Sequence, residues 1–97
     1  MPKAYLVGCY REVKDPEALA AYAKLGGPAV VANDGRILVC GGRIQAFENG
    51  IEERTTVVEF DSFEAALAHY NSDACQAALA ALGDGVVRDM RIVEGVE

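Results

Sequence analysis

Tryptophan is absent from the 97-residue chain, histidine occurs once and cysteine three times. One histidine and three scattered cysteines (Cys9, Cys40, Cys75) offer no paired metal-ligand spacing, so no metal site is expected. The cysteines are odd in number and far apart, unlike a disulfide framework. Met1-Pro2-Lys3 opens the chain without a charged-then-apolar leader. Reduced thiols and a cytoplasmic location are therefore expected. Basic residues are also scarce. Nine Lys and Arg against fifteen Asp and Glu give a net charge of −6, which leaves no basic patch for nucleic acid or an anionic membrane surface. No apolar run approaches the roughly 20 residues that span a bilayer. A P-loop, G-x-G-x-x-G and G-x-S-x-G are all missing, which excludes the familiar nucleotide and hydrolase classes. No bound cofactor is expected.

What is present is enough apolar material, 52% of residues, to build one core. A single domain over residues 1–97 follows from the length. The stretch RTTVVEFDSFEAALAHYNSDACQAALAAL, Arg54 to Leu82, organises the rest. Thr56, Val58 and Phe60 share one parity and Thr55, Val57 and Glu59 the other, as on a strand. Asp61 suits an N-cap, with Glu64 completing a D-x-x-E capping box. Phe63, Ala66, Leu67, Tyr70, Ala74, Ala77 and Ala78 then recur at helical spacing. Asn71-Ser72 breaks that helix, and Ser72 caps a second piece ending near Leu82.

Ala4 to Arg11 reads as a first strand, with Tyr5, Val7 and Cys9 on one face and Leu6, Gly8 and Tyr10 on the other. Asp15-Pro16 starts a helix that Gly26-Gly27 is expected to end, with Pro28 opening a separate short turn. Arg36 to Gly42 is the second strand, and Gln45 to Glu53, with its Asn49-Gly50 turn, reads as a hairpin arm. Val86 to Val93 is the last strand. The order β-α-β-β-α-β is the split βαβ of a ferredoxin-like α+β fold with a four-stranded antiparallel sheet. Right-handed crossovers put both helices on one face. The other face, apolar at both parities, is expected to pair with a second copy in a homodimer.

The words KAYLVG, DPEALAAYAKLGGPAV, RTTVVEFDSFEAALAHYNS and DACQAALAALGDGVVRDMRIVEGV span essentially the whole chain. In them the sequence resembles the bacterial family of unknown function DUF1330, of the dimeric α+β barrel superfamily. The resemblance implies protomers paired sheet to sheet and carries no activity of its own. Superfamily relatives include cofactor-free monooxygenases, isomerases and haem-binding enzymes with ligands between sheet and helices. Cys40 and Cys75 depart from the family pattern, where Arg and Tyr are usual.

Glu59 and His69 are the candidate catalytic residues. A carboxylate on a covered strand face must be paired, held in a wet cavity or protonated. Glu59 is thus either a structural partner of Arg36, Arg54 or Arg91, the commoner outcome, or a base of raised pKa. His69 borders the helical stripe without belonging to it, so a half-exposed surface histidine competes with a general base or haem ligand. Arg36, Tyr70, Ser72 and Tyr5 are candidate ligand contacts. Ser72 and Asn71 offer an anion-binding helix start or simple capping, and Cys75 a favoured thiolate or a small buried hydrophobe. Two functions stay open: a homodimer that binds or transforms a small organic ligand in a pocket, and a non-enzymatic binding or assembly module.

Overall fold

The computed structural model describes residues 2–96. Along the chain lie β1 (Ala4–Val13), α1 (Pro16–Ala32), β2 (Arg36–Cys40), β3 (Thr55–Phe60), α2 (Phe63–Tyr70), α3 (Asp73–Leu82) and β4 (Val86–Glu94). The four strands make one antiparallel sheet in the order β2-β3-β1-β4. This is the ferredoxin-like α+β arrangement. Alternation along the strands sorts the side chains. Ala4, Leu6 and Tyr10 of β1 and Val58 and Phe60 of β3 are buried beneath the helices. Phe63, Tyr70, Met90 and Ile92 close around this core. Tyr5, Val7, Thr55, Val57 and Glu59 fall on the opposite, open face, where they are half-buried.

Helix α1 starts as expected, with the Asp15 carboxylate accepting from the Glu17 and Ala18 amides at 3.1 and 3.2 Å. It does not stop at Gly26-Gly27 but continues through Pro28 to Ala32. Proline inside a helix costs roughly 3 kcal/mol. The extra turn offsets this by burying Ala29 and Val30 to 3% and 7% exposure against the sheet, where a buried valine contributes about 1.5–3 kcal/mol. At the next helix the expected Asp61 cap gives way to Ser62, whose Oγ accepts from the Ala65 amide at 3.0 Å. Asp61 is drawn instead to Arg36 at 2.9 Å and Lys3 at 3.7 Å. The break at Asn71-Ser72 is where the sequence places it, with Ser72 capping α3 through the Cys75 amide at 3.2 Å.

Strand β2 ends at Cys40 because Gly41 and Gly42 take φ of 76° and 100°, a left-handed region open to glycine. The expected hairpin arm is not formed. Residues 41–54 contain no strand, only a turn in which Gly50 N–H donates to Phe47 C=O at 2.8 Å. Gly41 N–H donates to Thr55 C=O at 3.0 Å and Arg54 C=O accepts from Tyr10 N–H at 2.9 Å, so the segment is tied to the sheet at its two ends, while residues 42–52 between them are mostly exposed.

Two glycines bracket the α1–sheet contact and should respond oppositely to alanine. A Cβ on Gly35 would lie 2.7 Å from Phe60 and 2.8 Å from Val30, whereas one on Gly27 would meet nothing within 4 Å. Gly35→Ala is expected to destabilise by about 1–3 kcal/mol through overpacking. Gly27→Ala should stabilise by about 0.5–1 kcal/mol through helix propensity. Denaturant titration of both variants checks the pair, and equal signs would contradict this packing.

Candidate functional site

Between α1 and the helix-facing side of the sheet lies a cavity of ≈ 220 Å³. Leu19, Ala23, Val30 and Val58 wall it, Gly26 and Gly27 form its helix side, and Cys40 and Arg54 stand at the end of β2 and the start of β3. Tyr10, Tyr22 and Thr56 supply its polar atoms. Arg54 is fixed there by backbone pairing, since Tyr10 N–H donates to its carbonyl at 2.9 Å. Its guanidinium lies 5.5 Å from the centre of the Tyr10 ring and 3.5 Å from Cys40 Sγ. Arg88 of β4 donates to Tyr10 Oη at 2.9 Å and stacks over the Tyr10 and Tyr22 rings at 5.4 and 4.8 Å. Burial opposes the Arg88 charge, yet hydrogen bonding to Tyr22 and Tyr10 holds its pKa above the ordinary value.

None of the six residues singled out in the sequence lines this cavity. Glu59, Tyr5 and Arg36 come together, but on the open face. Arg36 Nε donates to Glu59 at 2.7 Å and Tyr5 Oη donates to it at 3.1 Å. The Arg36 guanidinium holds the Glu59 carboxyl below the usual carboxylate range, and the bond to Glu59 raises the Tyr5 phenol. Glu59 is therefore a paired anion and not a base of raised pKa. Its alternation with Val58 and Phe60 puts it on the face away from the helices, apart from His69.

His69 is not half-exposed; it is 3% exposed, with its ring 4.9 Å from that of Phe60. A histidine beside the stripe is buried here because α1 runs one turn further than expected and covers it. The Asn33 side-chain amide at the end of α1 bonds Ala29 C=O at 2.8 Å and His69 Nδ1 at 3.1 Å. Accepting at Nδ1 assigns the imidazole proton to Nε2. Ser72 Oγ donates to His69 C=O at 2.6 Å and accepts from the Cys75 amide, so its oxygen is taken up by capping. Cys75 is buried, which pushes its thiol up and favours the unreactive form. His69, Tyr70 and Cys75 meet at an inner cavity of ≈ 40 Å³ that shares Tyr22, Gly26, Val30, Thr56 and Val58 with the outer one.

The outer site was legible at one point. Arg88 shares parity with Met90 and Ile92, an arginine on the core-facing side of the last strand. Tyr10 lies directly across from it on β1. Among the described residues no group of His, Cys, Asp and Glu is arranged to hold a metal ion, and no helix is long and apolar enough to cross a membrane.

Burial holds the His69 pKa below that of free histidine. The unfolded chain then binds the proton more readily, so stability present above pH ~6.5 falls as pH drops toward the folded-state value. Equilibrium unfolding from pH 7 to 5 should show this loss in the wild type and a flatter profile in His69→Gln. Loss of the Glu59 and Asp89 carboxylates, both held low, belongs to a more acidic window.

Comparison with curated proteins finds no match. Among solved structures the chain is similar to a protein of unknown function from Rhodopseudomonas palustris, with TM-score 0.75 and 16% identity over 99% of this chain and 84% of that one. It is also similar to a putative antibiotic biosynthesis monooxygenase from Caulobacter crescentus, with TM-score 0.62, 20% identity, and coverage of 99% and 92%. A dimeric ferredoxin-like protein of unknown function from Thermobifida fusca gives TM-score 0.62, 14% identity, and coverage of 96% and 91%. At such identities these likenesses bear on fold alone. Residues 3–96 match the family described as Domain of unknown function (DUF1330), and the chain belongs to it.

Proposed function

We propose that this single-domain protein is a cytoplasmic homodimer that holds one small organic molecule per protomer in the cavity between α1 and the sheet, without a bound cofactor. The carrying observation is the ≈ 220 Å³ cavity itself, apolar in most of its wall and edged by Tyr10, Tyr22, Thr56 and Arg54. Specific small-molecule sites have this make-up of apolar walls and a few placed polar groups. The dimer reading rests on the open face. Val7 and Val57 pair across its centre. Ionic groups border them, Arg36–Glu59–Asp61 toward β2 and, toward β4, Arg91 directly beside Val7 together with Asp89, Arg11 and Glu53. An apolar centre with a polar rim is the anatomy of a protein interface. The dimeric Thermobifida fusca neighbour supports the same reading.

The Caulobacter crescentus neighbour, a putative monooxygenase, raises oxidation of the ligand as the reaction to test. His69 and Tyr70, which border the inner cavity, are the residues placed to contact a ligand reaching inward. The closed Glu59–Arg36 pair favours a second reading, in which the protein binds or assembles without catalysis.

Sedimentation at micromolar concentration should give twice the 10.3 kDa protomer mass, and Val57→Lys on the open face should return it to one protomer. A metabolite thermal-shift screen tests the cavity. A ligand at 100 times its Kd adds about 2.7 kcal/mol, on the order of 10–20 °C for a chain of this length. Gly27→Leu, which adds a side chain at a residue of the cavity lining whose Cβ position has nothing within 4 Å, should abolish the shift while remaining folded. A monomer with hits indifferent to Gly27→Leu would sink the proposal.

A further inference from the structure

Arg43 lies exposed in the segment after β2 and has no carboxylate within 4.0 Å among the described residues; the other five arginines divide by the face of the sheet they serve. On the open face Arg11, Arg36 and Arg91 each have a carboxylate, Arg36 with Glu59 at 2.7 Å and Arg91 with Asp89 at 2.8 Å. On the helix side Arg54 and Arg88 have no carboxylate within 4.0 Å among the described residues. Both lean on tyrosine rings instead. The residues lining the ≈ 220 Å³ cavity include no Asp or Glu, although acidic residues outnumber basic ones by fifteen to nine in the chain. Arg88 is half-buried, while Arg54 is exposed at the edge of the cavity. A carboxylate on a bound ligand would give the Arg54 guanidinium the charge-assisted partner that no side chain of the cavity lining supplies. Low-dielectric walls then strengthen the attraction for an incoming anion.

Size narrows the class further. An apolar cavity of roughly 150 Å³ accommodates benzene, so this one takes a single ring with a short arm. The tyrosine rings offer faces for stacking or edge contact at the depth where that ring would sit.

We propose that the ligand is a small monocyclic aromatic acid, its ring between Tyr22 and the β3 wall at Val58 and its carboxylate read by Arg54. The assignment rests on the cavity reading above. Arg88 is a positioning residue here: it holds the Tyr10 hydroxyl and stacks on both rings, and adds positive potential behind them. Arg54 is the anion-reading group because it lines the cavity and its only side-chain hydrogen-bond partner among the described residues is a thiol.

The test is a matched set on one ring: benzoate, benzamide and benzylamine, titrated into the protein by calorimetry. Benzoate should bind at least about tenfold more tightly than the other two, as a charge-assisted contact requires. Raising salt from about 50 to about 500 mM should weaken benzoate and spare benzamide. Arg54→Gln should bring benzoate to within about twofold of benzamide, while Arg43→Gln, an exposed charge outside the cavity lining, leaves the tenfold gap in place. Gly27→Leu should abolish binding of all three. If benzamide matches benzoate on the wild type and Gly27→Leu still removes both, the acid class is overturned and the cavity reading survives. If no ring compound binds, or Gly27→Leu changes nothing, both are overturned.

Discussion

The Phe60 ring is the point where every layer of this protein meets. It is the largest side chain with no exposure at all. On one side it receives the end of α1 through Val30 and the tight approach of Gly35, and on another the His69 ring of α2. Its backbone pairs with Ala4 at the start of β1. Once Phe60 points inward, alternation sends Glu59 outward and Val58 inward again. The division of the sheet into a covered hydrophobic side and an open charged side therefore follows from the placement of one ring. A register slip of one residue would bury Glu59 and Val57 and expose Phe60, which the core does not permit.

That division also sorts the electrostatics. Carboxylates on the open face sit beside guanidinium groups, which lowers the pKa of Glu59 through Arg36 and of Asp89 through Arg91. These pairs are solvated, so each contributes little to stability in the protomer. They matter more as a pattern: the two central strands bring Val7 and Val57 together on the open face, and charged pairs border them toward both edge strands. Among the described residues the helix side supplies no carboxylate partner for Arg54 and Arg88, and tyrosine rings stand in. Two chemically different surfaces thus occupy the two faces of a four-stranded sheet.

The fold was legible because strand alternation and helix capping are local signals. Asp15-Pro16, the Asn71-Ser72 break and the two faces of β1 all stand where their residues indicate. What was not legible depended on contacts distant in sequence. Ser62 displaced Asp61 as a cap because Arg36, on another strand, competes for that carboxylate. His69 is buried because α1 continues past two glycines and a proline that normally end a helix. Glu59 read as lying on a covered face, paired or in a pocket, because both parities of β3 are apolar or β-branched; the Arg36 pair is there, but pattern alone does not say which parity the helices cover. The cavity arises from what Gly26 and Gly27 leave empty, and a missing side chain has no periodicity to detect. Arg88 was the one visible trace, an arginine in step with Met90 and Ile92.

The glycine pair in α1 departs from helix propensity. Gly26 and Gly27 lie inside a continuous helix and border the same cavity. Each costs about 1 kcal/mol relative to alanine in a helix interior, and Pro28 adds strain immediately after them. Nothing at Gly27 forbids a larger residue, since its Cβ position is open within 4 Å. A helix selected for stability alone would carry side chains there and pack them against Thr56 and Val58. Instead the unfavourable local choices gather at the one stretch of α1 that faces empty volume, beside an arginine with no carboxylate partner among the described residues. Local rules broken together at one place, with no packing reason at Gly27, are what the proposed ligand site would account for.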